Sequence, residues 1–584
     1  MTTAATPGMK FLRQTLVMVA LAEGLAISLH AESVAPEPPL ELPKLTVTDQ
    51  RKLLSPESWR YAKVPGLEIL SGAGDRETQK LLRDFQLFNE AIDVVWPALK
   101  RDRSVPLELI LCGPGKFDRF ASTEQNSLQE QISLFLRNAE HAAIVLDLGK
   151  TNVVVAPSEV DPMDEFDDNV PGGYAKIDHY AQLNHDYVRY LLSSQQPLFP
   201  AWLEEGLAQL LMSMRVENRF IEFAKIDDPN LAPIAAKEKT DALGLPITTV
   251  QFDSLAMQGR NSAIPLEEFF AVGHDSSITL NSFGTRWTRQ AKGLLHMWLY
   301  GEGGRYNKGF ARFVARAARV PVTETMFREC FGMGYTDMLM AYRIYTNDTA
   351  YKYQQFQARE GGGLPEPAPV VLREATPAEI GRIKGEALVL AGHPDAAWEE
   401  FFAPYFRGQS DAGLLASLGL FEYERGETAR ARKFLEAAAK QSVVRPRAYI
   451  ELASLRFAAT KTVSASTDPA LLRADQTKSI LQPLLIARQQ PPPLPEVYEL
   501  MTDVWLHSSV TPAKPDLAAI NQGVLIFQRR PLLLLHAAEL NGKYGDPAEA
   551  RTMAEFGIKL SRTPEARQAF EEVLASLPPA PAKK

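Results

Sequence analysis

Cysteine is nearly absent from this sequence: its 584 residues include only Cys112 and Cys330. No Cys-x-x-Cys spacing is available, so a cysteine-based metal site lacks its usual frame. Cys112 ends the apolar run Leu107 to Cys112 and reads as a buried strand thiol, and Cys330 lies in a helical pattern. Pairing of the two in an oxidising compartment stays open. Long apolar runs are missing as well. Beyond the N-terminal stretch no segment reaches the ~20 uninterrupted apolar residues of a spanning helix, so no transmembrane span is expected in the mature chain. Positive charge is not in excess, with 63 Lys and Arg against 71 Asp and Glu and a net charge of −8. Without a dense basic stripe, a nucleic-acid partner has no electrostatic footing. The chain also lacks a Gly-x-Ser-x-Gly elbow, a phosphate-binding Gly-Lys-Ser/Thr loop and a dinucleotide fingerprint.

What is present is ordinary for a globular protein: 45% hydrophobic, 23% charged and 9% aromatic residues. The length exceeds what one hydrophobic core organises, so two or three domains are expected. Lys10 and Arg13 precede the apolar stretch Leu16 to Ala22, and Leu29-His30-Ala31 offers a cleavage site. This pattern predicts an export signal over 1–31, although Glu23 interrupts the apolar run, and a periplasmic or extracellular destination. Proline-rich segments mark linkers over 32–54 and 356–378, the latter around Gly361 to Pro369, and a frayed tail over 578–584.

Residues 55–355 mix strand and helix patterns. Strands are predicted at Leu67 to Leu70 and Pro106 to Cys112, and helices at Glu77 to Leu99 and Leu128 to Arg137. A hairpin is predicted from Ala142 to Leu148 and Asn152 to Ala156, turning at Gly149-Lys150. From Tyr174 the pattern turns helical, giving an α+β domain. Residues 379–577 are helical with a repeat. Gly392 is followed by Ala397, Gly426 by Ala431 and Gly545 by Ala550, and Gly392 and Gly426 stand 34 positions apart. That period resembles a tetratricopeptide array, an all-α stack that implies a protein or peptide partner on its concave face.

One helix carries the candidate chemistry. Tyr180 to Leu192 includes His185-Asp186-Tyr187-Val188-Arg189, and the next helix opens Pro200-Ala201-Trp202-Leu203-Glu204-Glu205-Gly206-Leu207-Ala208. The pair resembles the peptidase-MA-like gluzincin domain, including a bacterial branch with C-terminal tetratricopeptide repeats. In that branch a His-Glu-Tyr-x-His-Tyr-Leu helix precedes a Pro-x-Trp-Leu-x-Glu-Gly-Leu-Ala helix. A later stretch, Lys292 to Tyr300 with Gly303-Gly304-Arg305-Tyr306 and Phe310, extends the resemblance, which covers about residues 55 to 350. It implies a zincin-like fold. In such a site two histidines four residues apart bind zinc, the intervening glutamate activates water, and a glutamate of the next helix is the third ligand.

The resemblance places His185 on the first ligand position and Glu205 on the third. Asp186 stands at the general-base position, one methylene short, and Arg189 replaces the second ligand with a guanidinium that has no lone pair and repels a cation. A salt bridge or bidentate hydrogen bond from Arg189 to Glu205 or Glu204 is expected. His179 lies round the helix from the ligand face, while His274 and His296 are remote in sequence, His296 reading as a core histidine. The acidic loop Asp161 to Asp168 lacks a calcium-loop pattern. Trp202 and Trp298 read as core anchors. The expectation is thus an exported, catalytically inactive pseudo-peptidase with no cofactor. The alternatives are an active zinc peptidase with an unusual ligand set, or a structural repeat scaffold.

Overall fold

Leu107–Cys112 and Ala142–Asp147 are continuous apolar runs, the pattern of strands covered on both faces, and they form the centre of a six-stranded sheet. A computed structural model describes residues 42–43, 54–97, 105–121, 132–155, 173–193, 195, 198–217, 220–224, 263–274, 276–280, 285–347, 354–357, 364–463 and 471–578. The expected export signal and the acidic loop at 161–168 lie outside them. Leu42–Lys584 form one compact unit.

The strands are β1 (Arg60–Val64), β2 (Leu67–Ser71), β3 (Leu107–Cys112), β4 (Ser133–Arg137), β5 (Ala142–Asp147) and, much later, β11 (Arg373–Glu374), in the order β11-β1-β2-β3-β5-β4. β2, β3 and β5 run parallel and the other pairings are antiparallel. Two small sheets pair β6 (Asn152–Val155) with β7 (Gly173–Lys176), and β9 (Phe220–Phe223) with β8 (Arg215–Glu217) and β10 (Gln354–Gln357).

Two local expectations are corrected. Ser133–Arg137 is a strand and not the end of a helix, because its free backbone groups pair in register along the open edge of β5. Strand propensity is weak beside such an edge. Residues 128–131 of that expected helix lie outside the described residues. The expected hairpin of 142–148 with 152–156 is absent too. β5 is already flanked by β3 and β4, so β6 turns away to pair with β7. At the turn Gly149 passes so close to Pro114 that a Cβ would stand 2.6 Å from its Cα.

One sheet face carries Leu107, Leu109, Leu111, Ile144 and Leu146 into the main core with α1 (Asp75–Val95), α2 (His179–Ser193) and α3 (Ala201–Met212). Helices α4 (Leu266–Ala271), α5 (Ser277–Leu280), α6 (Arg286–Tyr300), α7 (Asn307–Ala317), α8 (Glu324–Phe331) and α9 (Tyr335–Asn347) follow. They close around rings that include Trp202, Phe270, Trp298, Phe313 and Phe327, with Trp202 and Trp298 edge to face at 5.7 Å. Both cysteines are free and buried.

Residues 377–576 form successive helical hairpins: α10 (Pro377–Leu390) with α11 (Pro394–Phe406), α12 (Ala412–Glu424) with α13 (Thr428–Lys440), and α14 (Pro446–Val463) with α15 (Ala474–Ala487). Then come α16 (Pro495–Leu506) with α17 (Lys514–Ile526), α18 (Pro531–Tyr544) with α19 (Pro547–Leu560), and α20 (Pro564–Ser576). First helices stack on one another from α10 through α20. Gly392 and Gly426 take left-handed φ of 81° and 79° at the first two hairpin turns, which glycine adopts without strain. Within α10 and α12, Gly385 and Gly419 let Phe401 and Leu435 of the second helices approach closely.

Alternation along β3 sends Glu108, Ile110 and Cys112 to the opposite sheet face, where they are as buried as their neighbours. That face meets the repeats through charge. Arg382 of α10 bonds Glu68 and, at 3.0 Å, Glu108. Lys384 holds Glu57 at 3.2 Å and Glu400 at 2.7 Å, and Arg119 reaches Glu399 and Glu400 at 3.0 and 2.9 Å. Arg445 spans Glu140 at 2.8 Å and Glu386. The segment expected as a proline-rich linker also contributes β11, which extends the sheet beside β1.

Candidate functional site

Helix α2 starts on Asp178, whose Oδ1 accepts from the backbone N–H of Tyr180 and Ala181 at 3.1 Å each. Its apolar face packs on β4 and β5, with Tyr187 edge-on to Phe85 at 4.7 Å. Helix α3 is set against α2 and α6 by the Trp202 cluster. It comes so near α6 that a Cβ on Gly206 would stand 3.0 Å from the Ala291 carbonyl oxygen. The two helices thereby face His185, Asp186 and Arg189 toward Glu204 and Glu205, four of the five nearly fully buried.

Both nitrogens of His185 are engaged. Nδ1 lies 2.9 Å from Asp186 Oδ1 and Nε2 lies 3.1 Å from Glu205 Oε1. Burial alone would lower the imidazole pKa, but the Glu205 charge and the bonds to Asp186 and Glu205 outweigh it and raise the pKa to about 9. The ring is therefore an imidazolium at neutral pH and donates from both nitrogens. Glu205 answers in kind: burial would raise its pKa, yet His185, then Arg189 and a 2.8 Å bond from Gln209, hold it at about 2. Asp186 also accepts from Gln182 at 3.4 Å.

Arg189 turns to the neighbouring carboxylate. Its Nε donates to Glu204 Oε1 at 3.3 Å, a single contact and not a bidentate one, and its guanidinium lies 5.4 Å from the Phe135 ring. Glu204 also has His274 Nε2 at 3.3 Å from its Oε2. Burial opposes it, but His274, Arg189 and Arg137 bring the Glu204 pKa below the ordinary carboxylate value. Sequence reasoning named His274 only as a remote histidine and missed Phe135 and Arg137. His274 is remote in the chain, and Phe135 and Arg137 sit on the strand expected as helix. His179 bonds the Lys150 carbonyl at 2.8 Å, and buried His296 bonds Tyr345 Oη at 2.7 Å, a core arrangement.

These residues do not fit a zinc ion. A catalytic zinc takes three protein ligands, and here only His185 Nε2 and Glu205 Oε1 face each other, with the Arg189 guanidinium one helical turn on from His185. The facing oxygen of Glu205 is shared by His185 and Gln209, and Arg189 adds a fixed cation a short distance off. Asp186 Oδ1 is held on the neighbouring ring, while its Oδ2 is buried without a partner among the described residues.

No protein-family model and no curated protein matches the chain. Among solved structures, a chain in the crystal structure of the APC/C hetero-tetramer Cut9–Hcn1 is similar at a TM-score of 0.25 and 12% identity, over 68% of this chain and 67% of that one. So remote a likeness does not define the fold, which rests on the observed sheet and the succession of helical hairpins.

Proposed function

We propose that this protein is a non-hydrolytic binding scaffold. Its front half is a gluzincin-like domain with an extinguished metal position, and its helical hairpins bind protein or peptide in the exported compartment that the N-terminal signal implies. The observation that carries the reading is the double engagement of His185 by Asp186 and Glu205. A proton now holds together the carboxylates that a metal would otherwise hold. Two features support it: the site side chains are nearly sealed from solvent, and Arg189 places a permanent charge beside them. The hairpin stack favours partner binding, since each unit buries its apolar stripe on its neighbours and leaves a continuous outer surface.

The test is peptidase assay of the purified full chain with added zinc against denatured casein and unstructured peptides. Turnover at the level of the buffer blank is expected, and zinc-dependent hydrolysis abolished by Glu205→Gln would sink the proposal. The paired change Arg189→His with Asp186→Glu should bind one zinc more than the parent chain where the surrounding shell is intact.

A further inference from the structure

A second cluster lies at the junction of the sheet and the repeats. Glu108 on β3, His141 just before β5 and Glu386 on α10 each contribute one potential ligand atom, and the three atoms lie within 4.8 Å of one another. The residues are 3%, 8% and 5% exposed. Among the described residues neither His141 nitrogen has a hydrogen-bond partner, and neither has Glu108 Oε2. A buried imidazole with two idle nitrogens is costly unless something occupies it.

The other carboxylate oxygens are already used. Glu108 Oε1 accepts from Arg382 Nη1 at 3.0 Å, and Glu386 Oε1 accepts from Ser417 Oγ and Arg445 Nη1. Arg382 Nη1 stands 3.8 Å from Glu386 Oε2. The guanidiniums thus bind one oxygen of each glutamate, and Glu108 Oε2 keeps no partner among the described residues. Glu68 and Glu140 share the same two guanidiniums, and Lys63 reaches Glu68 from solvent.

We propose that Glu108, His141 and Glu386 bind a divalent transition-metal ion that clamps the sheet to the first repeat. One imidazole and two carboxylates are a donor set for zinc and its first-row neighbours, whereas magnesium and calcium favour all-oxygen sites. The ion satisfies the idle nitrogen and oxygen. Because the ligands come from both halves of the chain, binding stabilises their junction. This site is separate from His185 and Glu205.

The experiment uses the full chain, stripped with a chelator and titrated with zinc chloride. One zinc per chain with a raised thermal midpoint is expected, lost in His141→Ala and Glu108→Gln and kept in His185→Gln and Glu205→Gln. Affinity should fall by more than the roughly 10–100-fold that loss of an outer-shell partner costs. No zinc on the wild-type chain, or zinc retained by His141→Ala, overturns the proposal. Zinc lost only from the His185 and Glu205 variants overturns it and the non-hydrolytic reading together. Should the junction variants fail to fold, X-ray absorption of the zinc-loaded His185→Gln variant decides. One imidazole with oxygen neighbours supports the site, and a shell without imidazole refutes it.

Discussion

An imidazole held between two buried carboxylates binds its proton more tightly than the same ring in an unfolded chain. For His185 the folded value of about 9 stands above the unfolded value of ~6.5. The native state therefore carries the extra proton between these limits, and its stabilisation is complete below pH ~6.5 and lost as pH rises through about 9. Unfolding free energy should fall over that window with a slope approaching about 1.4 kcal/mol per pH unit from this one group. Urea denaturation from pH 6.5 to 9.5 measures it. The wild-type curve should drop relative to that of His185→Gln, and parallel curves would show that the ring is not charged. The Glu205 carboxylate acts at the acid end, contributing above its unfolded value and losing that contribution as pH falls toward 2.

At the level of the element, helix pairs are held by close approach at small residues. Gly385 faces the Phe401 ring, and a Cβ there would lie 2.4 Å from a ring carbon. Gly385→Ala should cost about 1–3 kcal/mol by overpacking, although alanine favours the helix intrinsically. A rise in the urea midpoint would show that α11 shifts freely to accommodate the methyl. The spacing of Gly392 and Gly426 made these hairpins legible in the sequence, because a turn needing left-handed φ demands glycine. β4 was not legible in the same way. Ser133–Arg137 is short and half-buried, and the edge it pairs with lies later in the chain, so local pattern could not compete with pairing.

Across the whole molecule, the sheet and the repeats are joined by buried ion pairs. Removing one partner there leaves charge stranded in a dry interface. Arg382→Met should therefore destabilise the chain by about 3–5 kcal/mol, since Glu108 loses its counter-ion and Glu68 keeps only Lys63 at the surface. The exposed pair Arg83–Glu366 gives the contrast, and Arg83→Met should change stability by less than about 1 kcal/mol. Equal effects in calorimetry would mean that the junction is wetter than its geometry implies.

The sequence by itself determined the helix pair carrying His185, Arg189, Glu204 and Glu205, the hairpin period of the second half, and the apolar strands at the sheet's centre. Each of these is a matter of local periodicity or of a residue's own chemistry. Tertiary structure alone decided which carboxylate Arg189 meets, that His185 keeps a proton on both nitrogens, and that Glu108, His141 and Glu386 converge. Those outcomes depend on distance and desolvation between segments far apart in the chain, and no spacing along a sequence encodes them.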